Sequence, residues 1–389
     1  MVTLIRDGEV FAPEPLGRKD VLIAGGVVEA VAEPGRIRLG GLEAEVVEAR
    51  GASVLPGLVD PHVHILGGGG EGGPATRAPE IRVEDIVACG VTTVIGCLGT
   101  DGVTRHMASL LAKARGLEIE GLSTFVHVGS YEVPVRTLTG GVRSDLALID
   151  KAVGAGEIAV SDHRSSQPTF DEVARLAAEC RVGGLLGGKA GVLHLHLGDG
   201  ARRLDLLFRL VRETEIPVTQ VVPTHATRNP RLFEQALEWV AAGGSIDVTV
   251  GPDPVPPDPE VRFEDAVAAF RGMGLPLARL MASSDANGSL PVFDEAGRLL
   301  RLAVATERDF ARRFADSIRS GLLTPEEAAG VFGGNAADFY KLPGKGRIEP
   351  GRDADLILLD GNRVLTDVFA RGRRLMAAGR LAVRGTFGG

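Results

Sequence analysis

The sequence predicts an α/β chain: a (β/α)8 TIM-like barrel carrying a small β-sandwich domain built from both termini. Three observations point there. Between about residues 54 and 285, eight short apolar runs recur, mostly with a helical stretch between one run and the next. Residues 1–53 and 345–389 read instead as strands broken by turns, and neither end alone holds enough strands for a stable sheet. The one Gly-rich stretch, GGGGE at 67–71, lacks the GK[ST] that a phosphate loop needs, which argues against an open nucleotide-binding sheet.

Each element has its own reason. TLIRDGEVFAP and DVLIAGGVVEAVAE alternate apolar and β-branched residues around Asp-Gly and Gly-Gly, both hairpin signals. The tail repeats the texture in GRIEPGRDADLILLD, RVLTDVFARGRRLM and GRLAV, so one β domain assembled from 1–53 and 345–389 is the economical arrangement. The eight central runs lie in GLVDPHVH, TTVIGCLG, STFVHVGS, EIAVSDH, GVLHLHLGD, TQVVPTHA, SIDVTV and LMASSD. Helical stretches such as RHMASLLAKARGLEI, FDEVARLAAECR and PRLFEQALEWVAAG separate most of them, and alternation of this kind makes a parallel sheet across 54–344.

Composition narrows the function. The 389 residues are 44% hydrophobic with only 4% aromatics, so Leu, Val, Ile and Ala must fill a large core. A net charge of -8 supplies no basic footprint for nucleic acid, and no Lys/Arg run suits an anionic membrane. An acidic substrate would need local arginines to hold it. Cys89, Cys97 and Cys180 show no CxxC spacing, which reads as small buried side chains in a reducing compartment rather than a disulfide framework or thiolate zinc site. With no secretory signal and no bilayer-length apolar stretch, a soluble cytoplasmic protein is expected.

His62, His64, His163, His194, His196 and His225 lie in or just after apolar runs, and barrel strand ends converge on one mouth. His62 and His64 are two apart on a strand, so both rings face one way and can reach one divalent ion. Taken alone, two core histidines with backbone partners would look the same. Adding His196, His225 and Asp285 at other strand ends shifts the balance, because imidazoles and a carboxylate buried together are costly unless a cation or catalysis uses them.

The run GLVDPHVH, the strand-end histidines, Asp285 in SSD and the tail GRIEPGRDADLILLD together resemble the amidohydrolase superfamily. Within it, the segments DPHVHILGGGGEGGPATRAPE, GVTTVIGCLGTD, YEVPVRTLTG, SDHRS, PTHATRNPRLFEQALE and SSDANGS are similar to β-aspartyl (isoaspartyl) dipeptidases. The resemblance implies two divalent ions, zinc first among them: His62 and His64 with Asp285 at the more buried one, His196 and His225 at the other. Water activated by the ions attacks the amide carbonyl, and Asp285 passes its proton to the leaving amine.

The resemblance also places Glu71 on the substrate's α-amino group, with Gly70 in the loop that lets backbone approach. It places Arg164 and Arg228 on the two carboxylates, Tyr131 on the developing oxyanion, and Thr100 and Ser289 as further contacts. His194 is expected deeper in the barrel, behind His196. Strand four departs from the family. Where a carbamylated lysine usually bridges the metals, this chain has Glu157, and Lys151 lies before the strand. Glu keeps the charge and both oxygens on a shorter stem, so Glu157 is expected to bridge. Hydrolysis of β-aspartyl dipeptides is the leading expectation. A dihydroorotase-like cyclic-amide hydrolase and an N-acyl-amino-acid deacylase are the enzymatic alternatives, and a non-catalytic barrel scaffold is disfavoured by its intact ligands. Family habit suggests a homo-oligomer.

Overall fold

A computed structural model describes residues 2–41, 43–252, 260–293 and 299–388. Its N-terminal part supplies strands β1 (Val2–Phe11), β2 (Pro15–Ala24), β3 (Val27–Ala32), β4 (Glu45–Glu48) and β5 (Ser53–Pro56). Next come β6 (Leu58–Val63), β7 (Val91–Gly96), β8 (Ser123–Val128), β9 (Ala152–Val160), β10 (Val192–Leu197), β11 (Val221–Thr224), β12 (Ile246–Thr249) and β13 (Leu280–Ser283). A hairpin, β14 (Ser289–Phe293) and β15 (Leu299–Val304), precedes β16 (Leu356–Leu359), β17 (Leu365–Ala370), β18 (Arg373–Ala377) and β19 (Arg380–Leu381). The hairpin has no counterpart in the sequence-based reading.

The two chain ends do share a sheet. Among the described residues, nine strands run in the order β19-β18-β17-β16-β5-β1-β2-β3, with β4 paired to β1, so β5 joins the N-terminal strands to the C-terminal ones. Two hairpin signals part company here. Gly25 and Gly26, both at positive φ, make the expected turn between β2 and β3. Asp7-Gly8 does not turn the chain. It forms an irregularity inside the ten-residue β1, where Asp7 takes φ 60° and its N–H donates to Asp20 Oδ1 at 2.9 Å. Guanidiniums of Arg18 and Arg50 hold the Asp7 carboxylate, so side-chain pairing converts a turn signal into a bulge.

The eight expected central runs all form strands. Six, β6 to β11, make one continuous parallel sheet in sequential order, and β12 pairs with β13 in parallel register. Single contacts link the pair to the sheet: Ala226 N–H donates to Asp247 O at 3.3 Å, and His64 N–H to Ala286 O at 2.9 Å. Strands β6, β7, β9, β10, β11 and β13 are buried along their whole length, as expected of parallel strands covered on both faces. Helices α1 (Val83–Val87), α2 (Met107–Glu120), α3 (Val142–Leu148), α4 (Phe170–Gly187), α5 (Asp205–Glu213), α6 (Pro230–Ala241), α7 (Phe263–Gly272) and α8 (Glu307–Arg319) connect and flank them.

Local signals set where helices begin. Thr169 and Glu172 close a capping box at α4, and Asn229 caps α6 with Pro230 in its first turn. Strand alternation then sorts the sides. On β10, Leu193, Leu195 and Leu197 join the large core packed under the helices, while Val192, His194 and His196 face the other way. Val192 belongs to an apolar plug with Val59, Ile95, Val222, Met281 and Tyr340, above which polar side chains begin.

Candidate active site

The floor of the site is built from strand ends. Glu157 lies near the end of β9 at a bulge, where the pairing with β10 advances three residues against two. Bulges re-aim side chains, and here the register change turns Glu157 toward its neighbours' histidines. Gly156 makes it sterically possible, since a Cβ there would lie 2.7 Å from His194 Cβ. Glu157 Oε2 then stands 3.2 Å from His62 Nε2, 3.0 Å from His196 Nδ1 and 3.2 Å from His225 Nε2. His64 Nε2 lies 2.9 Å from Asp285 Oδ1 and 3.8 Å from Glu157 Oε1. One carboxylate therefore touches all four histidines.

Backbone conformation at this floor is unusual. His225 and Asp285 both adopt positive φ, 59° and 51°. Left-handed geometry costs non-glycine residues free energy and persists where surrounding contacts enforce it. For His225 the contact is Thr249 Oγ1, 2.7 Å from Nδ1. For Asp285 it is the segment around it: Ser284 N–H donates to the Asp60 carboxylate, and a Cβ on Gly288 would lie 2.5 Å from Asp285 Oδ1.

A further layer holds the rings. His62 Nδ1 is 3.1 Å from His194 Nε2, and His194 Nδ1 is 2.7 Å from the Tyr340 hydroxyl. His194 is thus the deeper partner behind the floor. His196 Nε2 is 2.9 Å from Asp162 Oδ2. Asp60 accepts the His62 N–H and neighbours the buried Glu307, whose carboxyl burial raises well above the usual range. Asp247 accepts from Thr224 and Ser283 hydroxyls, both at 2.6 Å, and burial lifts its pKa to about 6.

Electrostatics favour a cation. Burial works to raise the Glu157 carboxyl, but the imidazoles of His62 and His196 hold it well below the usual carboxylate range. Asp285 is likewise buried, yet its hydrogen bond from His64 keeps it at about 2. His225 is pushed down to about 3 by burial and stays neutral. Two ionised carboxylates thus meet the neutral ring of His225 and the rings of His62 and His64. Against the pull of burial, Cys97 and those carboxylates raise the latter two well above 6.5, so in the metal-free chain protons sit where an ion would. His62 Nε2 and Glu157 Oε1, both buried, make no hydrogen bond among the described residues. Two donor groups satisfy metal spacing: His62, His64, Cys97 and Glu157, and Glu157, His196 and His225. The residues present fit divalent ions.

Above the floor opens a small cavity lined by His64, Gly69, Glu71, Gly99, Thr100, Tyr131, Arg164, His196, Arg228, Asp285, Ser289 and Leu290. Glu71 is its hub. Its carboxylate accepts from Thr100 Oγ1 at 2.8 Å and Ser289 Oγ at 3.2 Å, and Arg164 Nη1 lies 3.5 Å away. Tyr131 presents its hydroxyl 2.9 Å from His196 Nδ1, and burial raises that hydroxyl well above 10. Arg228 has a buried Nε with no hydrogen-bond partner among the described residues. Gly70 takes φ +110° as the loop turns toward Glu71.

The family of the amidohydrolases matches residues 192–379 of the chain. Across nearly the whole length, the chain is similar to the β-aspartyl dipeptidase of Fervidobacterium islandicum AW-1, solved with β-Asp-Leu. It is 43% identical, with a TM-score of 0.91, over 99% of this chain and 100% of that one. The chain belongs to the β-aspartyl dipeptidase family of the amidohydrolases. More distant likenesses carry the fold alone: a dihydropyrimidinase from Brevibacillus agri is 17% identical with a TM-score of 0.68, covering 99% of this chain and 97% of that one. An adenine deaminase of Halalkalibacterium halodurans is 24% identical over 98% of this chain, which spans 58% of that protein's length.

Set beside this β-aspartyl dipeptidase frame, one expectation needs correction. His163 does not join the other histidines at the mouth; it is exposed, because Asp162 and Arg164 on either side turn inward. Arg164 lines the cavity with its guanidinium engaged. Asp162 already holds it through Nε at 3.1 Å and Nη2 at 2.8 Å. All three cysteines are buried and free, as expected, and Cys97 Sγ stands 3.8 Å from His64 Nδ1. Lys151 lies away from the cluster, bonded to Thr124 and Glu118, which leaves strand four to Glu157.

Sequence reasoning passed over Asp162, Glu307, Asp247, His127 and Arg105. Arg105 is buried, and its guanidinium donates to the carbonyls of Leu66, Gly68, Gly69 and Ala78, latching the loop that carries Glu71. SDHRS held a signal for Asp162, an acid two residues from an arginine at a strand end. His127 lies inside the apolar run STFVHVGS and carried the same signal as the other strand histidines, whereas Glu307 and Arg105 lack any local signal.

Proposed function

We propose that the chain hydrolyses the isopeptide bond of β-aspartyl dipeptides with two divalent ions, zinc first among them. The observation that carries this reading is charge complementarity over a donor cluster: at the rim, apart from the floor carboxylate Asp285, the Glu71 carboxylate and two guanidiniums, Arg164 and Arg228, line one cavity above four imidazoles. An isoaspartyl dipeptide offers one ammonium and two carboxylates. His62, His64 and Asp285 would hold one ion and His196 and His225 the other, with Glu157 between them. When bound, the ions supply Lewis acidity and a nucleophile at neutral pH.

The chain's own groups supply the rest. Asp285, ionised across the neutral range, accepts the proton of the attacking water and delivers it to the leaving amine. Tyr131 keeps its proton and donates to the developing oxyanion. Glu71, with Thr100, Ser289 and the Gly70 turn, receives the substrate ammonium. Arg228 takes one carboxylate through its free Nε, and Arg164, steadied by Asp162, faces the other.

We read the frame as a closed (β/α)8 barrel over 54–344 with a β-sandwich from 1–53 and 345–389. The parallel bridge Val63–Ala286 and the Ala226–Asp247 bond support closure. Among the described residues no helix is long and apolar enough to cross a membrane. The test compares β-Asp-Leu with α-Asp-Leu on metal-loaded protein. Turnover of the β isomer alone is expected. Equal turnover of both, or turnover of dihydroorotate alone, overturns the reading.

A further inference from the structure

The three cysteines differ in their surroundings. Cys89 and Cys180 are buried thiols whose pKa burial raises, to about 12 for Cys180. Cys97 follows directly on β7 and is only 1% exposed. Its sulfur meets imidazole instead: Sγ lies 3.8 Å from His64 Nδ1 and 3.7 Å from the Val63 carbonyl, with a ring nitrogen of His62 also within 4.8 Å. Flanking glycine permits this approach, since a Cβ at Gly99 would lie 2.8 Å from His64 Cε1.

A tetrahedral zinc site, with Zn–S about 2.3 Å and Zn–N about 2.0–2.1 Å, separates sulfur from nitrogen by about 3.6 Å. Cys97 and His64 stand near that spacing. Ligand atoms of His62, His64, Cys97 and Glu157 all lie within 4.8 Å of one another. Two buried atoms of this group, His62 Nε2 and Glu157 Oε1, have no hydrogen-bond partner among the described residues, which is the signature of donors arranged for an ion.

We propose that Cys97 is a thiolate ligand of the buried ion, completing a set with His62, His64 and Glu157. The proposal rests on the two-ion reading above and changes one ligand of it, giving the buried ion Cys97 in place of Asp285. A ring gives one nitrogen to one ion. With Nδ1 of His64 turned to the ion beside Cys97, its Nε2 keeps the 2.9 Å contact with Asp285. Asp285 then stands one imidazole away from that ion and serves as proton acceptor, while sulfur takes the fourth place. A soft donor there biases the buried position toward zinc and away from magnesium or manganese.

The test is cobalt titration of the full metal-free chain, read by near-ultraviolet absorption and by metal content. A thiolate-to-cobalt charge-transfer band is expected with the first ion bound. Cys97→Ser should abolish it and weaken cobalt binding about 10- to 100-fold, whereas Cys89→Ser and Cys180→Ser keep it. Circular dichroism of each variant checks folding, and Cys97→Ala provides a second, smaller replacement. Cobalt bound without the band, or a band that survives both Cys97 variants, overturns the thiolate ligand while leaving the two-ion reading intact. No cobalt bound at all overturns both.

Discussion

The floor and the rim of the cavity are held by opposite means. Floor residues His62, His196, Glu157 and Asp285 sit at or just beyond strand ends and are buried, with their conformations set by neighbouring strands. Rim residues Glu71, Thr100 and Ser289 are partly exposed, and Glu71 and Thr100 sit in loops. What steadies that rim is one buried guanidinium, Arg105, donating to four loop carbonyls, with Asp101 tying Arg105 to Arg77. A floor made this way suits ions, which tolerate little error in donor position. A rim made this way suits recognition, where side chains must admit and release a substrate. Changes at the floor should therefore abolish turnover, and changes at the rim should mainly weaken binding.

The sharpest break is at Glu157, the carboxylate common to all four histidines. Glu157→Ala should lower metal content from about two ions per chain and cost about 1000-fold or more in kcat/KM, roughly 4 kcal/mol of transition-state stabilisation. Chelation of the unmodified chain should give the same loss, reversed by zinc. Metal analysis alongside kinetics checks it, and an unaltered ion count in the variant would remove Glu157 from the ligands.

Glu71→Gln tests the rim. Losing a charge-assisted bond to the substrate ammonium should cost about 1.5–3 kcal/mol, expressed as roughly a 10- to 100-fold rise in KM with kcat little changed. An N-acetylated β-aspartyl dipeptide, which has no ammonium, should lose that discrimination between the two enzymes. A fall in kcat alone would place Glu71 with the floor.

Arg105 probes the rim from behind. Arg105→Lys keeps the charge but loses the fork, so several loop carbonyls go unpaired. KM should rise about 10-fold in the direction of the Glu71 variant, with about 1–3 kcal/mol less stability. Kinetics and denaturant unfolding measure the two separately. A stability loss with unchanged KM would make the latch purely structural.

The same contrast explains what could be read in the sequence. Strand ends announce themselves: HVH and LHLH alternate at period two inside apolar runs, and all eight central strands follow the expected runs. Glu157 was legible because apolar neighbours place it on a strand. Arg105, Glu307 and Asp247 were not, since each is defined by a partner far along the chain, and no local pattern distinguishes a buried guanidinium from a solvated one. Asp7-Gly8 shows the converse. A sound turn signal yields to Asp20, Arg18 and Arg50, which lie 11 to 43 residues away. Cys97 belongs to this second class too, its spacing in sequence saying nothing of the imidazole beside it.

The smallest effect lies beneath the floor and is read in stability alone. His127 on β8 is wholly buried and stacks on His194 with ring centroids 4.6 Å apart. Burial, with His62 nearby, lowers its pKa from 6.5 to about 3, so the folded chain keeps it neutral. An unfolded chain binds a proton there below about pH 6.5. Between pH 6.5 and 3 the unfolded state thus holds one proton more, and stability falls as pH falls, by at most about 1.4 kcal/mol per pH unit. His127→Phe should remove that one-proton dependence. Chemical unfolding of metal-free protein at pH 7 and pH 5 checks it. If both proteins lose stability equally, the acid sensitivity belongs to His194 and His225, which burial also pushes down, to about 3 for His225.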